Sequence, residues 1–94
     1  MEQVHILLVE DNEGDILLTK EAFEESKIIA EISVVKNGAE ALDFLFQRES
    51  FIDAKRPDLI LLDINIPKYD GHFVLKQIKG DNNLKKIRKV LKKL

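Results

Sequence analysis

The chain alternates between short runs of branched apolar residues and longer segments rich in helix formers. Three apolar runs have the length and residue types of buried strands. These runs are Val4–Val9, Glu31–Val35 and Leu59–Asp63. Helical segments follow them, over Gly14–Ser26 and from Asn37 and Asp70 onward. This order predicts a single α/β domain over residues 1–94, with a parallel sheet, right-handed crossovers and helices on both faces.

Polar residues mark the ends of the predicted helices. Asn37 can cap the second helix, and Glu40 stands where the acid of a capping box is expected. Asp70 precedes the third helix, and Gly80 is a suitable terminator. The polar stretch 47–56 is predicted to be a loop.

The last fourteen residues have a different character. Their apolar positions are spaced by three, four and three, which predicts a helix. These positions are Leu84, Ile87, Leu91 and Leu94. Six of the 15 basic residues fall in the last ten positions, where there is no acid. We therefore predict a βαβαβα core over residues 1–80 and a basic amphipathic helix over residues 81–94 that covers part of the core.

Composition narrows the functional classes. The chain has 94 residues, 45% of them hydrophobic, a net charge of −2 and no cysteine, so disulfides and thiolate metal sites are excluded. No apolar run approaches the roughly 18 residues that span a bilayer. The chain opens on a strand without a basic leader, which predicts a cytoplasmic protein. The basic tail lacks aromatic anchors, so we expect no membrane and no nucleic acid partner.

Acidic residues follow two of the predicted strands. Glu10 and Asp11 come directly after the first strand, and Asp63 ends the third. Because the carboxyl ends of parallel strands meet at one edge of a sheet, these carboxylates are expected to lie together. Such a cluster suits Mg²⁺, and a carboxylate beside it can act as a nucleophile toward phosphorus. The alternative is that all three are solvated acids at strand ends, and spacing alone leaves both interpretations open.

Two motifs carry a resemblance to a known family. The segment Val9–Asn12, together with the D-x-x-x-P-x-x-D-G pattern over Asp63–Gly71, closely resembles the receiver domains of two-component response regulators. The stretch Phe44–Ile87 looks like the small stand-alone receivers associated with phytochrome-type histidine kinases. The resemblance runs from about Val4 to Ile87, and the two acidic motifs in this order are specific.

The resemblance implies a flavodoxin-like fold with strand order 2-1-3 and phosphotransfer from a kinase histidine to Asp63. It also implies that Mg²⁺ is held by Glu10, Asp11, Asp63 and the backbone carbonyl of Asn65. A magnesium phosphohydrolase would carry a second aspartate where Asn65 stands, so we expect no enzyme activity beyond self-phosphotransfer. Asp70 is better explained as a helix cap than as a ligand.

After Ile87 the chain departs from the family pattern. The family continues with an apolar fourth strand ending in Thr or Ser and a fifth strand ending in Lys, and neither is recognisable here. We therefore expect a truncated receiver with impaired phosphotransfer, because the groups that grip the phosphoryl oxygens are missing. The outer edge of the third strand would be unpaired, which predicts a homodimer through that edge or by exchange of elements. The alternative function is a self-assembling structural module without signalling activity.

Overall fold

The computed structural model describes residues 3–92. Over these residues, four strands alternate with three helices and two short 3-10 turns. The strands are β1 (Val4–Val9), β2 (Ala30–Val35), β3 (Leu59–Asp63) and β4 (Arg88–Lys92). The helices are α1 (Glu13–Glu25), α2 (Gly38–Leu45) and α3 (Gly71–Lys79), and the 3-10 turns are Glu49–Phe51 and Leu84–Lys86. Within residues 3–92, none of the helices has the length and apolarity needed to cross a membrane.

The four strands form one parallel sheet with the order β2-β1-β3-β4. The predicted order 2-1-3 is therefore present, with a fourth strand added beside β3. In the register of the sheet, Val9 at the end of β1 is paired with Val35 of β2 and with Leu62 of β3. The residues that follow β1 and those that end β3 consequently lie at the same edge.

Each helix is preceded by a capping residue, whose side chain accepts a hydrogen bond from the backbone N–H three residues later. The acceptors are Asn12 for α1, Asn37 for α2 and Asp70 for α3, at 2.9, 2.8 and 3.1 Å. These bonds satisfy N–H groups that have no partner inside the helix. The caps predicted at Asn37 and Asp70 are confirmed.

The main core lies between one face of the sheet and the two helices α2 and α3 that pack on it. Alternate residues of β1 and β3 form the sheet side of this core, and the apolar faces of α2 and α3 form the other side. The residues at its centre, each fully buried, are Leu7, Val9, Ile60, Leu62, Val74 and Ile78. This packing holds the ends of β1 and β3 in a fixed relation.

The prediction of a helix over residues 81–94 is wrong for the part that the structure describes. A 3-10 turn over Leu84–Lys86 is followed by β4, and Leu94 lies outside the described residues. Leu84 and Ile87 are both buried in the main core, at 4% and 3% exposure. A spacing of three between apolar residues fits a single 3-10 turn as well as a helix, and the backbone of the next residues then pairs with β3.

The prediction that the outer edge of β3 is open is also wrong. β4 pairs with β3 along its whole length, from Leu59 with Arg88 to Asp63 with Lys92. The prediction rested on the tendency of an unpaired apolar strand to form backbone hydrogen bonds with another strand. The same tendency explains the observed pairing. Here the neighbour comes from the same chain. A homodimer formed through the β3 edge therefore has no free edge to use.

Candidate functional site

Three carboxylates meet where β1 and β3 end. Ligand oxygens of Glu10, Asp11 and Asp63 all lie within 4.8 Å of one another. Glu10 and Asp63 are buried, at 1% and 3% exposure, while Asp11 is exposed. The sequence prediction that these acids lie together agrees with this geometry. Three anionic groups this close repel one another unless a cation lies among them.

Backbone hydrogen bonds orient the two buried carboxylates. Glu10 Oε2 accepts the N–H of Asn12 at 3.2 Å, and Asp63 Oδ1 accepts the N–H of Asn65 at 3.0 Å. The Glu10 backbone N–H extends the sheet by donating to the Val35 carbonyl at 3.0 Å. Each carboxylate is therefore held by the turn that follows its own strand.

The connection from β3 to α3 starts at Asp63 and returns to the end of β3. The N–H of Gly71 donates to the Ile64 carbonyl at 2.9 Å. A Cβ at Gly71 would lie 2.6 Å from the Ile64 Cα and 2.7 Å from the carbonyl oxygen of Asp63, so only glycine fits this approach. This close packing of the start of α3 against the end of β3 holds Asp63 in position.

Two residues of the same connection adopt the left-handed backbone conformation without being glycine. Lys68 has a φ of 47° and Tyr69 a φ of 66°. Such residues cost about 1–3 kcal/mol each when surrounding structure holds them there. The ring of Tyr69 packs on that of Phe73, with centroids 4.8 Å apart, which helps to retain the conformation.

The start of α2 supports this connection from the other side. The N–H of Gly38 donates to the Pro67 carbonyl at 3.0 Å. A Cβ at Gly38 would overlap the carbonyl oxygens of Lys68 and Tyr69, so the two backbones touch directly. Residue type and spacing explain Asn37 as a cap, but they give no sign of this contact, which sequence reasoning missed. The left-handed conformation of Lys68 and Tyr69 was also not predicted, because lysine and tyrosine are not residue types that favour it.

A surface ion pair joins the start of α1 to the end of β2 at this edge. Lys36 Nζ donates to Glu13 Oε1, and the backbone N–H of Lys36 donates to Glu40 Oε1 at 3.1 Å. The hydrogen bond to Glu13, and after it the charge of Glu13, raise the pKa of Lys36 above 10.5. Both side chains are exposed, so the pair contributes little to stability.

The raised pKa of Lys36 gives a first prediction. Replacing Glu13 with Gln is expected to lower the pKa of Lys36 toward 10.5, because the anionic acceptor is removed. The pair stabilises the fold at pH values below 10.5, and its contribution is lost as the pH rises through the higher folded pKa. An NMR titration of the Lys36 side chain measures the change. In Glu21→Gln, an exposed acid of α1 outside the pair, the pKa of Lys36 should not move; an equal fall in both variants would contradict the assignment.

The structure places the predicted site residues as follows. Glu10, Asp11 and Asp63 lie together, and Asn65 follows Asp63 with its N–H directed to that carboxylate. The contribution of the Asn65 carbonyl to a metal stays a prediction. β4 also ends at this edge, since Asp63 and Lys92 are partners in the register of the sheet.

Comparison with known proteins agrees with this arrangement. Residues 6–90 match the family described as the response regulator receiver domain. Response regulator Rcp1 of Synechocystis is 44% identical over 82 residues, which cover 87% of this chain and 56% of Rcp1. The chain spans about half the length of the curated relatives it matches.

Two solved structures are similar in fold and sequence. The phosphorylated cyanobacterial phytochrome response regulator RcpA superposes with a TM-score of 0.92 at 46% identity, covering 98% of this chain and 66% of that one. The Mn²⁺-bound form of Rcp1 also gives a TM-score of 0.92, at 41% identity, covering 96% of this chain and 65% of that one. The predicted flavodoxin-like, receiver-type fold is confirmed by these superpositions.

The family match covers residues 6–90, which is nearly the whole chain, and the superpositions extend the likeness to the arrangement of the sheet and helices. This chain belongs to the response regulator receiver domain family.

Proposed function

We propose that this receiver domain accepts a phosphoryl group on Asp63 from a phosphohistidine of a sensor kinase, with Mg²⁺ held in the acidic pocket. The observation that carries the proposal is the convergence of Glu10, Asp11 and Asp63 within 4.8 Å at the carboxyl edge of the sheet. Receiver domains are signalling modules, so we propose no enzyme activity beyond this transfer.

The residues present fit a hard divalent cation. The donor set consists of carboxylate oxygens, which are the ligands that Mg²⁺ prefers. The separation of these oxygens suits a shared ion, since Mg²⁺ binds oxygen at about 2.0–2.1 Å and opposite ligands then lie about 4 Å apart. The existence of a Mn²⁺-bound form of the relative Rcp1 supports a divalent cation as the ion that this domain binds. When bound, the cation would neutralise part of the charge on the carboxylates and on the incoming phosphoryl group.

Asp63 has the position and contacts of a nucleophile. Its Oδ1 accepts the N–H of Asn65, and this bond orients the carboxylate so that Oδ2 can approach the phosphorus. In the proposed step, a carboxylate oxygen forms a bond to phosphorus while the bond from phosphorus to the histidine nitrogen breaks, and the nitrogen keeps the electron pair. Burial of Asp63 beside Glu10 excludes water from one side of the acyl phosphate.

We further propose that residues 1–94, taken by themselves, perform the transfer more slowly than a receiver domain that carries the full set of groups contacting the phosphoryl oxygens. β4 ends in Lys92 as the register partner of Asp63, and the resemblance assigns no residue of the segment after Ile87 to the Thr or Ser that ends the fourth strand of the family. The resemblance gives no counterpart in this chain for the lysine that ends the fifth strand of the family. Less of the transferred charge is therefore stabilised by protein donors.

The partner we propose is a sensor histidine kinase of the phytochrome type, on the basis of the similarity to RcpA and Rcp1. The homodimer predicted from the sequence cannot form through the β3 edge, because β4 occupies that edge. It stays a prediction without a defined interface. The self-assembling alternative loses the same support. The cytoplasmic location also stays a prediction.

Chemical phosphorylation tests the proposed function. Incubating the protein with acetyl phosphate and Mg²⁺ is expected to add the mass of one phosphoryl group, measured by intact-protein mass spectrometry, because a small acyl phosphate can replace the kinase as donor. The modification should disappear in Asp63→Asn and in the presence of a chelator. It should persist in Asp53→Asn, which changes an exposed carboxylate in the turn after residues 49–51. Absence of modification in the unaltered protein, or its survival in Asp63→Asn, would refute the proposal.

A further inference from the structure

A cleft of about 510 Å³ lies between α1 and β2. The second half of α1, the turn over residues 26–29 and the start of β2 form its walls, and no residue of β1, β3 or β4 lines it. The cleft therefore opens on the side of β2 that faces away from β1. The fifth strand of the family pattern would add beside β4, at the opposite edge of the sheet, so the shape of the cleft does not depend on it.

The inner surface of the cleft is mostly apolar. Phe23 and Ile32 are half-buried, whereas Ile28 and Ile29 are 50% and 47% exposed. Apolar walls around a cavity of several hundred Å³, with a few polar groups at the rim, are typical of sites for small molecules. The two isoleucines are thus an apolar surface that a ligand could cover.

Hydrogen bonds hold the turn beside the cleft in its conformation. Ser26 Oγ donates to the Phe23 carbonyl at 2.7 Å and accepts the N–H of Ile28 at 3.1 Å. At the start of β1, the N–H of Val4 donates to the Ile29 carbonyl at 2.8 Å. Ile28 and Ile29 are therefore held between fixed backbone contacts, which lowers the entropy cost of binding a ligand against them.

The charged groups at the rim favour an anion. Lys20 and Lys27 both line the cleft, and neither forms a hydrogen bond or an ion pair among residues 3–92. Glu24 is the acid that lines the cleft with them, so cations outnumber anions there by two to one. A carboxylate beside the two ammonium groups would gain charge-assisted hydrogen bonds.

The outer side of β2 adds backbone donors to the cleft. The carbonyls of Ile29 and Val35 accept N–H groups from the segment of β1, at 2.8 and 3.0 Å. Because backbone groups alternate in direction along a strand, those of Ala30 and Ile32 point away from β1. Among the strands of residues 3–92, β2 is outermost on this side, so these two N–H groups have no strand partner there.

We propose that this cleft binds a small amphipathic carboxylate, such as a fatty acid or an aromatic acid. The apolar part would cover Ile28 and Ile29, and the carboxylate would lie beside Lys20 and Lys27. A polypeptide strand is a poorer occupant, because the cleft follows β2 only from Ala30 to Ile32, or about 10 Å. Strands usually pair over about five or six residues.

This inference does not rest on the proposed phosphotransfer. The cleft lies where α1 ends and β2 begins, whereas the acidic site lies where β1 ends and α1 begins. Binding of the carboxylate should therefore be equal in the unaltered protein and in Asp63→Asn, so that failure of one proposal leaves the other intact.

An NMR titration with 2-naphthoate and its neutral analogue 2-naphthamide tests the inference. The two probes share a ring system and differ in charge. We expect saturable shifts of backbone amides within residues 20–32, and binding of the naphthoate about three- to tenfold tighter than that of the naphthamide. Equal affinities, or shifts that do not saturate, would overturn the proposal, and this comparison needs no variant of the protein.

Three variants separate charge from general adhesion to an apolar surface. Lys27→Gln should weaken naphthoate binding by about three- to tenfold and leave naphthamide binding unchanged. Glu24→Gln should strengthen naphthoate binding, since a like charge is removed. Lys76→Gln changes an exposed lysine of α3 outside the cleft and should affect neither probe. Equal losses for both probes in Lys27→Gln, or the same loss of naphthoate binding in Lys76→Gln, would contradict the proposed site.

Other occupants of the cleft give different results. An acetylated Ile-Thr-Val-Ile peptide with a free terminal carboxylate probes strand addition. If it binds more tightly than the naphthoate and shifts amides along the whole of β2, the cleft receives a strand and the proposal is wrong. Shifts of residues 20–32 that appear on raising the protein concentration alone would place a second copy there and overturn it as well.

Discussion

Replacing Ile87 with alanine is expected to lower the free energy of unfolding by about 2–5 kcal/mol, the range found when a buried isoleucine or leucine is truncated in a core that cannot collapse. Ile87 is 3% exposed and belongs to the core cluster between the sheet and α3. A domain of this size is stabilised by only about 5–15 kcal/mol, so the loss would be a large part of the total. Urea denaturation followed by circular dichroism measures it.

Val90 provides the matched control for this experiment. It lies three residues further along the same segment and is 52% exposed, so Val90→Ala should change the unfolding free energy by no more than about 1 kcal/mol. The difference between the two unfolding free energies distinguishes a segment that is packed as a turn and a strand from one that is attached loosely to the surface. Two small effects of equal size would contradict the observed packing of residues 84–92.

Replacing Gly71 with alanine is expected to destabilise the fold by about 1–3 kcal/mol and to slow phosphorylation of Asp63. The added Cβ would meet the Ile64 Cα and the Asp63 carbonyl, which are backbone atoms that cannot rotate away. Relief requires α3 to move from the strand end, and Asp63 moves with it. The measurements are the urea midpoint and the rate of mass gain with acetyl phosphate.

Gly80 offers the same substitution at the other end of the same helix. Its φ is −80°, and a Cβ there would have no neighbour closer than 3.4 Å. Gly80→Ala should therefore be neutral or stabilising by up to about 1 kcal/mol, with an unchanged phosphorylation rate. If both glycines respond alike, the effect at Gly71 comes from helix propensity and not from its contact with β3.

The fold and the grouping of the acids could be predicted because they depend on local patterns. Apolar runs that end in carboxylates define both the strands and their direction, and parallel pairing then brings Glu10 and Asp63 to one edge whatever the details of packing. The caps at Asn37 and Asp70 were predictable for a similar reason, since the side chain bonds to a backbone group only three residues away.

The end of the chain could not be predicted from its own residues. Its lysines, arginine and leucines are good helix formers, and the spacing of Leu84, Ile87 and Leu91 fits a helix. The structure is decided instead by β3, whose open edge gains a full set of hydrogen bonds from residues 88–92. Tertiary pairing outweighed local propensity here, as it often does in strands. The contact of Gly38 with residues 68–69 is likewise tertiary and leaves no local signal.

The order of the strands in the sheet also has a consequence for the folding kinetics of this domain. β1 lies next to β3, although α1, β2 and α2 separate them along the chain. Of the strand pairs that form the acidic pocket, the pair of β1 and β3 closes the longest loop. The chain therefore loses the most conformational entropy in forming this pair, before its contacts can compensate for the loss. We therefore expect the pocket to form late on the folding pathway, after β1 has paired with β2. Divalent cations added during refolding would then leave the folding rate almost unchanged and slow the unfolding rate.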